Sequence, residues 1–164
     1  MIMNWDALGA IAELAAAAAV IATLIYLSQQ IRQTAKESRL SAIHDISTAY
    51  NAWIQSVAAS RDLSRIWDEG LINFEQLQHE DRVRFLLITG SITRILNDAY
   101  SQYSSGRMEK LDWEVYENVI NLAVGSSGFK EYISQREAQH TPEFGLIIKE
   151  KMLNAETLRE SLYR

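Results

Sequence analysis

The N-terminal part of the chain is one apolar run with a single ionisable side chain inside it. Residues 5–27 have the sequence WDALGAIAELAAAAAVIATLIYL, in which Glu13 is the only charged residue after Asp6. At about 1.5 Å per residue, a helix from Trp5 to Tyr26 spans roughly 31 Å, the thickness of the hydrocarbon core of a bilayer. An aromatic residue stands at each edge, as in many membrane-spanning helices. The pattern predicts a transmembrane helix.

Two other interpretations of residues 5–27 compete with a span. A signal peptide begins with basic residues, whereas this chain begins MIMNWD, so we expect the segment to be retained. A core helix of a soluble domain needs apolar partners around it, and no other segment is long or apolar enough. Eight large aliphatic residues in the run favour insertion by roughly 2.5 to 5 kcal/mol. A central acidic residue costs roughly 2.5 to 3.5 kcal/mol and Glu13 lies off-centre, so we expect insertion to be favourable, but not by much.

Glu13 is predicted to lie on a helix face that packs against another helix. On a helical wheel its neighbours are small residues, and the bulky aliphatic side chains lie on the opposite side. Small residues let helices approach closely in lipid, while a buried acid has to be neutral, hydrogen-bonded or in contact with water. No basic residue in the span can pair with it, so its partner lies outside this helix. The candidate packing or pore-lining residues are Gly9, Ala12, Glu13, Ala16, Ala17, Ala19, Val20 and Thr23.

The remainder of the chain predicts further helices. Residues 29–41 are polar nearly all round, and an apolar stripe with helical spacing returns from residue 42. We therefore expect an all-α protein whose N-terminal transmembrane helix continues into a long helix, packed with about four or five further helices as a soluble bundle. The predicted domains are a transmembrane anchor (1–28), a polar helical neck (29–41) and a cytoplasmic helical-bundle domain (42–164).

Local signals place the later helices. One short helix is predicted to end at Gly70, and a longer one to run from about residue 80 to 104 and end near Gly106. Asp112 is the expected N-cap of a helix whose inward residues include Val115, Tyr116, Val119, Ile120 and Leu122. A Ser126-Ser127-Gly128 turn is expected before a helix with Phe129, Tyr132 and Ile133. The last helix should begin at Thr141-Pro142-Glu143.

Composition excludes several classes of function. The chain has one Pro and no Cys, so disulfides and Cys-ligated metals are excluded. Its net charge is −5, and no basic block exceeds two residues, which argues against nucleic-acid binding. His44 is expected to be solvated or at the edge of the core, His140 is expected to be exposed, and Glu75 with His79 lacks further ligands. No catalytic motif is present, so we assign no catalytic residue, metal or cofactor.

One polar and aromatic cluster is a candidate for a small-molecule pocket, and a hydrogen-bonded edge of the core is the alternative. It lies on the long helix that ends near Gly106. Three of the four tryptophans, Trp53, Trp67 and Trp113, are predicted to anchor the core, and Gly90 is predicted to mark a close helix crossing. The possible pocket residues are Asn97, Tyr100, Gln102 and Tyr103.

Several motifs together resemble a known group of sequences. They begin with W-x-A-L-G-A-I-A-E and L-I-Y-L-S-Q-Q-I-R-Q-T, and continue with D-L-S-R-I-W-D-E-G-L, E-D-R-x-R-F, N-D-A-Y-S-Q-Y-x-x-G, S-x-G-F and T-P-E-F. The chain resembles, up to about Phe144, a large family of uncharacterised bacterial single-span membrane proteins with a C-terminal helical domain. The resemblance implies a bacterial inner-membrane protein with Glu13 at the family's acidic position. It implies no activity and no catalytic residue.

The flanking charges predict orientation, and with Glu13 they lead to two functional hypotheses. Arg32, Lys36 and Arg39 follow the span against Glu37 alone, so the N-terminus should lie outside and the C-terminal domain in the cytoplasm. The first hypothesis is a single-pass interaction or accessory protein that self-associates or docks on a larger membrane-protein complex. The alternative is a homo-oligomeric ion channel whose pore carries a ring of Glu13. The expected partners are the lipid bilayer and other membrane chains, with no nucleic acid.

Overall fold

A computed structural model describes the backbone of residues 5–162 and the side chains of residues 9–136 and 138–155. Within this part of the chain the fold is all-helical and contains no strand, as predicted. Two short 3₁₀ segments, Phe74–Gln76 and Glu137–Gln139, join longer helices. The α-helices are α1 (Trp5–Ala58), α2 (Arg61–Asn73), α3 (His79–Ser104), α4 (Lys110–Ala123), α5 (Ser127–Arg136) and α6 (Pro142–Leu162).

The chain divides into two compact units, Met1–Leu40 and Ser41–Arg164, and helix α1 contributes to both. The first unit holds the one helical stretch, among the described residues, that is long and apolar enough to cross a membrane. Its most apolar 18-residue window has a mean hydropathy of 2.1, and none of that window is buried. The predicted division into anchor, neck and cytoplasmic domain stays a prediction.

The second unit has an apolar core made of two clusters of buried side chains, and the partly buried Trp67 and Leu86 pack against both. The stripe predicted from residue 42 onward contributes Ile46 and Val57 as buried residues, and Tyr50 and Trp53 pack against the core. All the later α-helices supply buried side chains as well. The largest fully buried side chains are Tyr132, Phe85, Phe129, Phe144, Ile66, Leu96, Ile120 and Ile148.

Helix ends follow several of the sequence signals. The Ser60 hydroxyl accepts a hydrogen bond from the Leu63 amide (3.2 Å) and caps α2. Gly106 has a positive φ of 72° just after α3, as expected for a glycine that ends a helix. Helix α6 begins at Pro142, directly after Thr141, so the predicted start of this helix is confirmed.

The prediction that a helix ends at Gly70 is wrong, and so is the placement of Gly128 in a turn before the next helix, because both glycines lie inside helices. Helix α2 continues past Gly70 to Asn73, and Gly128 lies in the first turn of α5. Both are buried beside the Phe85 ring, which leaves no room for a Cβ atom. Gly90, in contrast, meets only the ring of Tyr132, at 3.4 Å from an ideal Cβ, so the close helix crossing predicted there occurs instead at Gly70 and Gly128.

Helix α4 also departs from its prediction. It begins at Lys110 with Glu109 as N-cap, so Asp112 lies in the first turn and is not the cap. Tyr116 and Ile120 are buried as expected. Val115 and Leu122 are 61 % and 86 % exposed, so the prediction that they turn inward is wrong. One face of α4 therefore carries exposed apolar side chains.

Candidate functional site

The first unit presents an exposed apolar helix surface. Every described side chain from Gly9 to Leu40 is exposed. The large apolar residues between Ile11 and Leu27 are 48 % to 72 % exposed. An apolar surface of this extent is unusual for a soluble monomer, in which contiguous apolar patches are rarely larger than a few hundred Å².

Glu13 makes no hydrogen bond or ion pair within the described residues. An ideal Cβ on Gly9, one turn before it, would have no neighbour within 4 Å. Thr23 is internally satisfied, because its hydroxyl donates to the Ala19 carbonyl (2.8 Å). The other predicted packing or pore-lining residues are likewise exposed, and what covers them stays a prediction. They are Ala12, Ala16, Ala17, Ala19 and Val20.

Asn97, one of the four predicted pocket residues, fastens α6 to α3. Its side-chain oxygen accepts hydrogen bonds from both the backbone amide (3.1 Å) and the hydroxyl (3.0 Å) of Thr141. Thr141 immediately precedes α6, and its carbonyl accepts the hydrogen bond from the Gly145 amide (2.9 Å). Asn97 therefore positions the first turn of the last helix.

The other three predicted pocket residues lie at the C-terminal end of α3. The rings of Tyr100 and Tyr103 lie 5.5 and 5.7 Å from Trp113, and Tyr100 also contacts Phe144 at 5.9 Å. The backbone carbonyl of Gln102 accepts hydrogen bonds from the amides of Arg107 and Met108. Its side-chain oxygen is buried without a hydrogen-bond partner among the described residues. The tyrosines thus pack on neighbouring rings, and the pocket function of this cluster stays a prediction.

His140 is half-buried and lies between aromatic rings, so the expectation that it is exposed is wrong. Its ring centroid lies 5.8 Å from that of Tyr132 and 5.9 Å from that of Phe144. Both ring nitrogens are buried without a hydrogen-bond partner among the described residues. Burial, and secondly the positive charge of Arg94, lowers the pKa of His140. The neutral imidazole is therefore the form that the fold favours.

A polar cleft of about 500 Å³ brings Glu75, His79, Arg82 and Glu131 together. Arg82 is already engaged, because it donates to the carbonyl oxygens of Leu77 (2.8 Å) and Glu75. Glu75 lies in a 3₁₀ segment and His79 begins α3, so the two do not share one helix. Among the described residues no group of three or more His, Cys, Asp or Glu side chains can hold a metal ion. The cleft has no arrangement that defines a reaction.

An apolar groove of about 240 Å³ lies between helices of the second unit, and the sequence did not indicate it. Trp53 and Trp67 stand edge to face in its wall, with ring centroids 5.0 Å apart. The Trp53 indole N–H donates to the Ile88 carbonyl (3.2 Å), so this wall presents apolar ring surface. We call this site the tryptophan groove, and its lining includes Tyr50, Trp53, Trp67, Val119, Leu122 and Phe129.

Comparisons with protein-family models, curated proteins and solved structures found no match to this chain. The resemblance to bacterial single-span proteins therefore stays a prediction from sequence motifs.

Proposed function

We propose that this protein is a single-pass, membrane-anchored interaction protein of the bacterial inner membrane. The N-terminal part of α1 crosses the bilayer, and the later helices form a cytoplasmic domain. The Glu13 face contacts a second copy or another membrane protein. One observation carries the proposal: the apolar window of α1 is entirely unburied in the described chain.

Lipid is the environment that fits this helix. Fully burying one large aliphatic side chain contributes about 1.5 to 3 kcal/mol, so leaving the whole run in water would forgo many times that amount. A helix also satisfies its backbone hydrogen bonds internally, which the hydrocarbon core requires. Ile11, Leu14, Ile21 and Ile25 lie on one side of the wheel and suit contact with acyl chains.

Glu13 supports contact with another chain. A carboxyl group within the hydrocarbon region is costly unless it is neutralised, hydrogen-bonded or hydrated. The described chain offers it no partner, and the residues beside it are Gly and Ala. A neighbouring helix packed on this small-residue face would supply hydrogen-bonding groups and exclude lipid from the carboxyl.

The charges after the apolar run support the proposed orientation. Arg32, Lys36 and Arg39 are exposed and have no ion-pair partner among the described residues. Glu37, the one acid between them, instead accepts a hydrogen bond from the Gln33 amide (3.0 Å). Basic residues close to a span are enriched on the cytoplasmic side, which supports a cytoplasmic location for the second unit.

The test is the oligomeric state of the full chain in mild detergent and in vesicles, compared with the Glu13→Leu and Glu13→Gln variants. We expect association in the wild type, weaker association in Glu13→Leu, and partial retention in Glu13→Gln, which keeps hydrogen-bonding capacity. Ile11→Ala, about 160° round the helix from Glu13, is the control and should associate like the wild type. Unchanged association of Glu13→Leu would contradict a role for the carboxyl.

Ion flux in the same vesicles tests the channel alternative. A Glu13 ring in a pore predicts a flux that Glu13→Ala reduces. Flux equal to that of protein-free vesicles, together with stable association, supports the interaction protein. A wild-type flux that falls at least tenfold in Glu13→Ala would instead favour the channel.

A further inference from the structure

Leu122 is a projecting apolar side chain beside the tryptophan groove. At 86 % exposure it is the most exposed large apolar side chain that the structure describes. It also forms part of the rim of the tryptophan groove, one turn after Val119 on α4. The second unit thus carries a protruding leucine and a groove next to each other on one surface.

Such a pair is self-complementary. In a two-fold symmetric contact each surface meets its own copy, so a residue that enters the partner receives the same residue in return. Leu122 and the adjacent tryptophan groove can make such a contact when the two-fold axis passes between them. We propose that Leu122 of one copy inserts into the tryptophan groove of a second copy, and that the partner's Leu122 fills the first groove.

The groove chemistry and the surrounding charges favour this occupant. The Trp53 N–H is already bonded to Ile88, so the groove offers ring faces and aliphatic carbon to a leucine. The nearest polar residues along α4 are Asn118 and Asn121, which carry no charge. Glu117, one turn earlier, is neutralised by Lys151 at 2.8 Å. Along α4, therefore, two copies meet no unpaired charge beside the groove.

The contact is small, and membrane anchoring explains how it can suffice. A stable dimer in solution usually buries about 800 Å² per partner, which one leucine and one groove do not provide. Tethering raises the effective concentration of two chains to the millimolar range, where a weak contact is populated. In this respect the inference rests on the proposed function, because it requires both chains to sit in one membrane.

Cysteine cross-linking tests the geometry, since the natural chain has no Cys. Full-length Leu122→Cys and Ala123→Cys chains with different tags are mixed in phospholipid vesicles and oxidised. Ala123 lies in the groove wall, so we expect a heterodimer disulfide between the two tags. The control replaces Leu122→Cys with Leu146→Cys, another exposed leucine (68 %), on α6. A yield at least fivefold above the control is expected, and an equal yield would overturn the proposal.

Association in vesicles, measured by energy transfer between labelled chains, provides the second readout. Leu122→Ser should weaken association at least tenfold, and Leu146→Ser should leave it unchanged. If Leu122→Ser associates like the wild type while Glu13→Leu does not, the groove contact is wrong and the proposed function stands. If the wild type stays in the membrane as a monomer, the groove contact is overturned and anchoring stands. Release of the wild type from the membrane by alkaline carbonate would contradict the proposed function itself.

Discussion

Gly70 and Gly128 lie face to face where helices α2 and α5 cross. A Cβ atom on Gly128 would collide with the carbonyl oxygen of Gly70 and would also lie 2.6 Å from Cζ of Phe85. Hydrogen atoms in place of side chains let the two backbones approach closely and leave room for the Phe85 ring, which is fully buried. This crossing brings α5, and with it Phe129 of the tryptophan groove, against the rest of the second unit.

The crossing predicts that Gly128→Ala destabilises the fold. The added methyl group has to displace backbone, and overpacking of this kind costs about 1 to 3 kcal/mol. Gly145→Ala in α6 is the matched control, because an ideal Cβ there has no neighbour within 4 Å. Helix propensity favours Ala over Gly, so the control should be neutral or more stable. Urea unfolding of both variants in detergent checks this, and equal stability of the two would contradict the close crossing.

Asn97 is predicted to stabilise the fold by holding the start of α6. Asn97→Ala removes the acceptor of two hydrogen bonds and leaves the part-buried Thr141 amide unpaired, which should cost about 1 to 3 kcal/mol. Asn97→Asp keeps the acceptor and should retain most of the stability. Asn118→Ala, at an exposed position on α4, should change the free energy of unfolding by less than about 0.5 kcal/mol. Wild-type stability of Asn97→Ala would show that Asn97 does not hold the start of α6.

The burial of His140 predicts that the fold loses stability in mild acid. Because its pKa in the fold is lower than in the unfolded chain, where it is about 6.5, the unfolded state binds a proton first as pH falls. The free energy of unfolding therefore keeps the full contribution of neutral His140 above about pH 6.5. It decreases as the pH falls from there to the lowered pKa of the folded state. Replacement by an aromatic residue without a titrating nitrogen, His140→Phe, should make the thermal midpoint less sensitive between pH 7.5 and 5. Parallel pH profiles for wild type and variant would contradict the argument.

Local signals in the sequence predicted the elements better than the contacts between them. The start of α6 at Pro142 and the end of α3 before Gly106 depend on a few adjacent residues, and both predictions are confirmed. Gly70 was misread as a helix end and Gly128 as part of a turn, because a glycine in either role and a glycine that permits a close crossing look alike in sequence. The Phe85 ring, distant along the chain, decides between the two.

The candidate sites show the same difference between features set by adjacent residues and features set by distant ones. The exposed apolar run around Glu13 is contiguous in sequence and was therefore predictable as a helix long and apolar enough to cross a membrane. The tryptophan groove was not, because its walls come from residues as distant as Tyr50 and Phe129. Leu122 was expected to turn inward because helical spacing does not reveal which of several apolar residues on α4 stays exposed.

The most direct test of the account is the environment of the apolar part of α1 in a bilayer. Single Cys residues at Leu14, Ile21 and Ile25 carry spin labels, with His44→Cys as an exposed control from the second unit. Membrane spanning predicts high collision rates with oxygen and low rates with a water-soluble nickel complex at the three apolar positions, and the reverse at position 44. Nickel accessibility at those three positions equal to that of the control would contradict a lipid-embedded helix.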